Sequence, residues 1–270
     1  MLKIAHISDL HFGDVRPPVL AALLASLRAL KPDAIVATGD VTMAGRRREF
    51  QEAKSFMAQL TAPYVVVPGN HDAPVYDLFA RLFFPWRRFK THLSTTVDPV
   101  LATRGLIVFG MNSARRVRPS VDWSKGAVSN AQLSVLHQRL KTAPQNVLKI
   151  VALHHPVVPG PGRAGRAVVS NAAALKQVAA FGGADVVMTG HAHVADAGIQ
   201  CVGGRRLLLL AAGTATSGRL RGEAPSFNLL VGDRRALSVE IIRYHEDEFR
   251  TDRRLSFRRI DEQWSKDGGA

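Results

Sequence analysis

Tyr64-Val65-Val66-Val67-Pro68-Gly69-Asn70-His71-Asp72 is the stretch from which the rest of the 270-residue chain is read. Its first five residues, apolar or aromatic, have the length of a buried strand. Gly69 is expected to let the backbone turn without steric penalty. Asn70, His71 and Asp72 then offer a carbonyl oxygen, an imidazole and a carboxylate to one small volume. Four other stretches repeat the arrangement: Asp9-Leu10-His11, Gly39-Asp40, His154-His155-Pro156 and Gly190-His191-Ala192-His193. A lone Asp-x-His is a weak signal, because chance produces it often. Five such stretches, each closing a predicted strand, point to bound metal.

The spacing between them sets the fold class. Residues 2–8, 34–38 and 64–67 read as strands. Between them lie two amphipathic helices, over 17–30 (Val19, Leu20, Leu23, Leu24, Leu27 and Leu30 at helical spacing) and over 46–60. This β-α-β-α-β rhythm implies parallel strands with right-handed crossovers. Ligands of such sheets gather beyond the carboxyl ends of the strands, where the motifs fall. Farther on, strands are predicted over 106–111, ending at Asn112, over 147–153 and over 185–189. Helices are predicted over 129–140, capped by Ser129, and over 171–181. Residues 159–165 read as a Pro/Gly loop overhanging the site. Four antiparallel strands with tight Gly turns such as Gly203-Gly204 follow, over 198–202, 205–211, 226–231 and 237–244. The division expected is one domain over 1–257 and a polar, fraying tail over 258–270.

Bulk properties narrow the classes. An apolar content of 46% is ample for a core, and no run approaches the roughly 20 apolar residues of a spanning helix. No opening segment resembles a signal peptide, and a single cysteine, Cys201, suits a reducing compartment, so the cytoplasm is expected. Cys201 reads as a small buried group. The net charge of +14 is uneven: from Arg81 to Arg118 eight basic residues stand against Asp98 alone, and Arg205, Arg206, Arg219 and Arg221 form a second cluster. Such fields draw anions, so nucleic acid or an anionic membrane surface is open as a partner beside a small phosphate ester, as is a homo-oligomer. Residues 77–90 interleave Leu78, Phe79, Leu82, Phe83, Phe84, Trp86 and Phe89 with Arg81, Arg87, Arg88 and Lys90. They read first as a helix and turn packed on the domain, and second as a basic-aromatic surface for lipid or a nucleobase.

Asp, Asn and His donors without Cys suit Mn, Fe, Zn or Mg. Asp9 and His11 can approach one ion together if the backbone turns there, and His191 and His193 likewise from another strand. Which imidazole of His154-His155 ligates is left open by spacing. His6, His92, His137 and His245 have no partner motif and read as surface or hydrogen-bonded core histidines.

The order Asp-x-His, Gly-Asp, Gly-Asn-His-Asp, His-His-Pro, Gly-His-x-His resembles the calcineurin-like metallophosphoesterase superfamily. Within it the likeness is closest to the bacterial class III cyclic-nucleotide and glycerophosphodiester phosphodiesterases. Supporting stretches are Met111-Asn112-Ser113-Ala114-Arg115, Trp123-Ser124-Lys125-Gly126 and Gly213-Thr214-Ala215-Thr216-Ser217. The resemblance implies a four-layer α/β/β/α sandwich with two mixed sheets and a site for two divalent metal ions. Transferred by motif position, Asp9, His11 and His193 hold the first ion, Asn70, His154 and His191 the second, and Asp40 bridges them. Two such ions about 3.5–4 Å apart share a hydroxide that attacks phosphorus in line. His71 is then left to face the substrate as proton donor or transition-state stabiliser, with Asp72 fixing its tautomer. Asn112 and His155 are expected on the substrate side.

The function implied is hydrolysis of a phosphodiester. A nuclease shares the motif series and suits the basic charge, but the chain lacks the long insertion or DNA-capping domain of those relatives. Lipid pyrophosphate hydrolases typically carry Arg where this chain has His71. A non-catalytic interaction module, as in retromer-like scaffolds, conflicts with an intact set of ligand positions.

Overall fold

The computed structural model describes residues 1–116, 125–160, 168–218 and 222–267. Most of the expected 159–165 loop lies outside them, as do Arg118, Trp123, Ser124, Arg219 and Arg221. The chain opens with β1 (Leu2–Ile7), α1 (Pro17–Leu30), β2 (Ala34–Thr38), α2 (Arg47–Met57) and β3 (Tyr64–Val67). β1, β2 and β3 pair in parallel as the rhythm predicts. α1 starts without a side-chain cap, on Pro17 and Pro18, whose rings preset the helical φ. A missing cap costs about 1 kcal/mol. Burial of Val19, Leu23 and Leu27 against the sheet contributes about 1.5–3 kcal/mol each, so packing decides the helix.

Two short helices follow, α3 (Leu78–Phe83) and α4 (Arg87–His92), then β4 (Val100–Thr103), β5 (Leu106–Met111), α5 (Asn130–Thr142), β6 (Leu148–Leu153), α6 (Ala172–Gly182) and β7 (Val186–His193). Ser129 caps α5 as expected: its hydroxyl accepts from Gln132 N at 3.2 Å, while Gln132 Oε1 accepts from Ser129 N at 3.1 Å. The remainder is strand: β8 (Asp196–Val202), β9 (Arg205–Gly213), β10 (Ser226–Gly232), β11 (Ala236–His245), β12 (Glu248–Ile260) and β13 (Gln263–Lys266).

Seven strands form one mixed sheet, in the order β13-β12-β11-β10-β1-β2-β3, and six form the other, β4-β5-β6-β7-β9-β8. Strand periodicity sorts the core into three slabs. In β6, Leu148, Ile150 and Ala152 face the space between the sheets, while Val151 and Leu153 face α5 and α6. α1, α2 and Phe89 of α4 cover the outer face of the first sheet. Helices outside and two sheets within make the four-layer α/β/β/α sandwich that the motif order implies.

Four expectations need correction. The chain does not fray from Arg258: β12 runs to Ile260, β13 returns along it, and Trp264 is buried in the central slab with its indole donating to the Asp185 carbonyl at 2.9 Å. Charged side chains hide this, because β12 buries Phe257 alone and turns the rest outward or to its edges. β9 is antiparallel to β8 but parallel to β7, between which it is inserted. Cys201 is exposed, since β8 is an edge strand. Residues 77–90 do not bury their aromatics as a packed helix would, although Phe89 is fully buried. Among the described residues, no helix is long and apolar enough to cross a membrane.

Candidate metal centre

The loops after β1 and β2 run side by side: Asp9 N donates to Gly39 O, His11 N to Asp40 O and Phe12 N to Val41 O, at 2.8–3.0 Å. The 214–217 stretch clamps them from the other side. Thr214 Oγ1 donates to Asp9 O and Thr216 Oγ1 to Leu10 O, both at 2.7 Å. These bonds hold an unusual backbone. Asp9, His11, Asp40, His191 and His193 all have φ between 47° and 67°, the left-handed region that residues with a Cβ disfavour. Each such residue costs on the order of 1–2 kcal/mol, and such strain concentrates where side chains must be aimed.

What it aims is a cluster of buried donors. His193 Nε2 lies 3.1 Å and His11 Nε2 3.7 Å from Asp9 Oδ1, and the two ring nitrogens face each other at 3.4 Å. Asp40 Oδ2 stands 4.0 Å from His11 Nε2 and 3.2 Å from His154 Nε2, which is itself 3.2 Å from His191 Nδ1. Three overlapping sets therefore have ligand atoms within 4.8 Å of one another: Asp9, His11 and His193; Asp9, Asp40 and His154; and His154, His155 and His191. Asp40 lies between the first and the last, where a bridging group belongs. Among the described residues, Asn70 Oδ1 is buried without a hydrogen-bond partner, as is Asp9 Oδ1 apart from the ion-pair contacts of His193 and His11. Buried oxygens left in this state are costly unless a cation completes them. The donors present therefore fit divalent metal.

The electrostatics agree. Burial alone would raise the carboxyls of Asp9 and Asp40, yet His193 and His154 beside the first, and His154 and His71 beside the second, hold both well below the usual range. Burial would likewise depress His154, but Asp40 and Asp9 outweigh it and push its pKa up to about 9. A pocket that raises the affinity of an imidazole for a proton also favours a larger cation in that place. His11 and His191 are pushed down to about 4 by burial, which keeps both rings neutral and able to ligate. His154 Nδ1 donates to Thr38 O at 2.7 Å, so its Nε2 is the nitrogen turned to Asp40.

His71 sits half-buried at the edge, its ring edge-on to His11 at a centroid distance of 5.0 Å. Its backbone N donates to Asp40 Oδ1 at 2.8 Å, and its Nδ1 donates to Met43 O at 2.6 Å. The Met43 carbonyl therefore fixes its tautomer. Asp72, expected in that role, instead accepts from Gly69 N at 2.8 Å, Thr42 N at 2.8 Å, Thr42 Oγ1 at 2.9 Å and Val41 N at 3.2 Å. It ties the β2 and β3 loops together. Burial and the nearby Asp40 charge raise its pKa to about 6, against the pull of these donors.

Gly69 is also present for another reason than a turn. Its φ is −103°, open to any residue, but a Cβ there would stand 2.1 Å from Asp40 Oδ1 and 2.3 Å from Asp40 N. His155 has no exposed surface: its Nδ1 pairs with Ser113 Oγ at 2.8 Å, and its ring stands against His154 and His191. One of its ring nitrogens lies within 4.8 Å of ligand nitrogens of His154 and His191, at that end of the cluster. Asn112 is 8% exposed, and its Oδ1 accepts from Ala114 N at 2.9 Å. Sequence reasoning missed Ser8, whose hydroxyl reaches Asp9 Oδ2 at 2.5 Å, and the carbonyls of Thr38 and Met43. Backbone acceptors leave no mark in a sequence.

A family model described as calcineurin-like phosphoesterase matches residues 2–195. The chain is 27% identical over 168 residues to a probable cyclic nucleotide phosphodiesterase of Synechococcus sp., covering 58% of this chain and 59% of that one. It is 28% identical over 130 residues to a probable glycerophosphodiester phosphodiesterase of Arcobacter nitrofigilis, covering 47% and 43%. A cAMP/cGMP dual specificity phosphodiesterase of Mycobacterium tuberculosis is 32% identical over 209 residues, covering 70% and 61%. The matches thus span about half the length of the first two relatives. Among solved structures, a dimetal phosphatase from Danio rerio shares the fold with a TM-score of 0.65 at 13% identity, covering 94% of this chain and 98% of that one.

Proposed function

This chain belongs to the calcineurin-like phosphoesterase family, and from that membership we propose that it is a metal-dependent hydrolase of small phosphodiesters, of the cyclic-nucleotide or glycerophosphodiester type. The observation that carries the reading is the meeting of buried Asp and His donors around Asp40. We assign Asp9, His11 and His193 to one divalent cation, Asn70, His154 and His191 to a second, and Asp40 to both. When bound, such a pair lowers the pKa of water between them and offsets charge on the phosphoryl oxygens.

The chain's own residues supply the rest. Ser8 Oγ and the His191 backbone N hold Asp9 Oδ2 at 2.5 and 2.9 Å, leaving Oδ1 toward the cluster. His71, locked through Nδ1–H to Met43 O, presents Nε2, and as the imidazolium it would give the Nε2 proton to the leaving alkoxide as the ester P–O bond breaks, leaving the neutral Nδ1–H ring. Asp72 acts on the site by fixing the loops that carry Asp40 and Asn70. His155 steadies His154 and His191 through Ser113. Asn112 is the group assigned to the phosphoryl side, through its amide nitrogen. The substrate types come from the names of the relatives.

The test is metal analysis together with a hydrolysis panel of cyclic nucleotides, glycerophosphodiesters, nucleic acid and lipid pyrophosphates, using Mn-loaded protein. Two metal equivalents and turnover of a small diester are expected, both lost in Asp40→Ala. A protein that takes up two equivalents and hydrolyses nothing on the panel would refute the activity, and preferred cleavage of nucleic acid would refute the substrate class.

A further inference from the structure

The surface that follows Asp72 is turned inside out. Tyr76 is 73% exposed, Phe79 67%, Phe83 61%, Leu78 56%, Phe84 52% and Leu82 45%. The cation among them, Arg81, is buried. Its guanidinium donates to Pro74 O at 3.1 Å and Arg116 O at 2.9 Å, anchoring α3 to the loop behind the site. Three of the rings form one patch, Phe79 standing 4.8 Å from Phe83 and 6.3 Å from Phe84, with Leu78 and Leu82 exposed on the same short helix. A contiguous apolar surface of this kind on a water-facing protein marks an interaction site.

Its rim is basic. Arg46 lies over the Tyr76 ring at 4.9 Å, Arg116 Nη1 donates to Leu82 O at 3.2 Å, and Arg87 and Lys90 stand exposed on α4. The lone carboxylate within 76–90, Asp77, is engaged by Arg88 at 3.1 Å. We propose that this patch docks the protein onto an anionic lipid surface, with the aromatic rings at the boundary between headgroups and acyl chains and the rim cations on lipid phosphates. A second copy of the chain fits poorly. A two-fold contact would set Arg46, Arg87, Lys90 and Arg116 against their own counterparts on a protein of net charge +14. Nucleic acid would satisfy the rim but leave Leu78 and Leu82 uncovered.

The inference does not depend on hydrolysis, and its test reads binding alone. Vesicles of phosphatidylcholine, with or without phosphatidylglycerol, are floated with the wild type, Phe79→Ser/Phe83→Ser and Arg87→Gln/Lys90→Gln. The wild type should bind only the anionic vesicles, and less as salt rises. The basic-rim variant should bind about fivefold more weakly per cation removed, and the aromatic variant about tenfold or more weakly. All four side chains are exposed, so unchanged melting and metal content are expected. If the aromatic variant melts early, the rim variant decides. Failure of the wild type to bind, equal binding of neutral vesicles, or undiminished binding by a folded variant would overturn the proposal. So would a wild-type dimer that Phe79→Ser/Phe83→Ser dissolves.

Discussion

His6, on β1, is a fully buried histidine that the metal centre does not use. Asn228 Nδ2 approaches its Nδ1 at 3.3 Å, and its Nε2 lies 3.0 Å from Thr38 Oγ1. An amide nitrogen only donates, so Nδ1 accepts and Nε2 carries the single proton. A second proton, on Nδ1, would point at the Asn228 N–H group. Burial pushes the pKa from 6.5 down to about 3, against a smaller opposing pull from Asp9. The folded value lies below the unfolded one, so neutral His6 contributes stability that is complete above about pH 6.5 and is lost as the pH falls toward 3. At about pH 5 the unfolded chain has gained nearly a whole proton here, which lowers the folding free energy by about 2 kcal/mol relative to neutral pH. Urea unfolding of metal-free protein at about pH 7.5 and pH 5 measures this, compared with His6→Gln. The other histidines titrate in both proteins, so the wild type should lose about 2 kcal/mol more than the variant. Equal losses, or an NMR titration of His6 with a midpoint near 6.5, would refute the reasoning.

Other perturbations probe the site and the tail. His71→Ala should keep both metal equivalents while kcat falls by about 10²–10⁴-fold, read by metal analysis and single-turnover kinetics; loss of metal would make it a ligand. Gly69→Ala forces a Cβ onto Asp40, so metal uptake should fall and stability drop by about 1–3 kcal/mol, and unchanged metal affinity would contradict the close approach. Trp264→Ala should lower stability by about 3–5 kcal/mol in urea unfolding, whereas a frayed end would register no change.

Periodicity made the central architecture legible. β2, β3 and β5 begin and end at the residues where their apolar runs do, and α1 follows its Val19–Leu23–Leu27 stripe from end to end. Six of the seven expected metal donors also lie together by distance, because short motifs at strand ends fix chemistry locally. Three kinds of information were absent. The left-handed φ of Asp9, His11, Asp40, His191 and His193 is imposed by neighbouring loops rather than by those residues' preferences. Roles filled by backbone carbonyls, such as Met43 O on His71, carry no residue signature. Burial on α3 and at the chain's end runs against composition: Arg81 goes in while Phe79 stays out, and the polar run from Arg258 reads as tail although it closes β12 and forms β13.

The donors of the centre are drawn from both halves of the sandwich. Asp9, His11 and Asp40 leave the seven-stranded sheet, and His154, His191 and His193 leave the six-stranded one. They meet where Asp40 Oδ2 and His154 Nε2 stand 3.2 Å apart. A cation seated there acts as a rivet between two plates otherwise joined by greasy, direction-blind packing. At about a thousandfold excess over its dissociation constant it would add about 4 kcal/mol to the resistance of the whole molecule to unfolding. Heat tolerance then becomes a gauge of occupancy, and a chelator should soften the joint between the plates before it disturbs either plate alone.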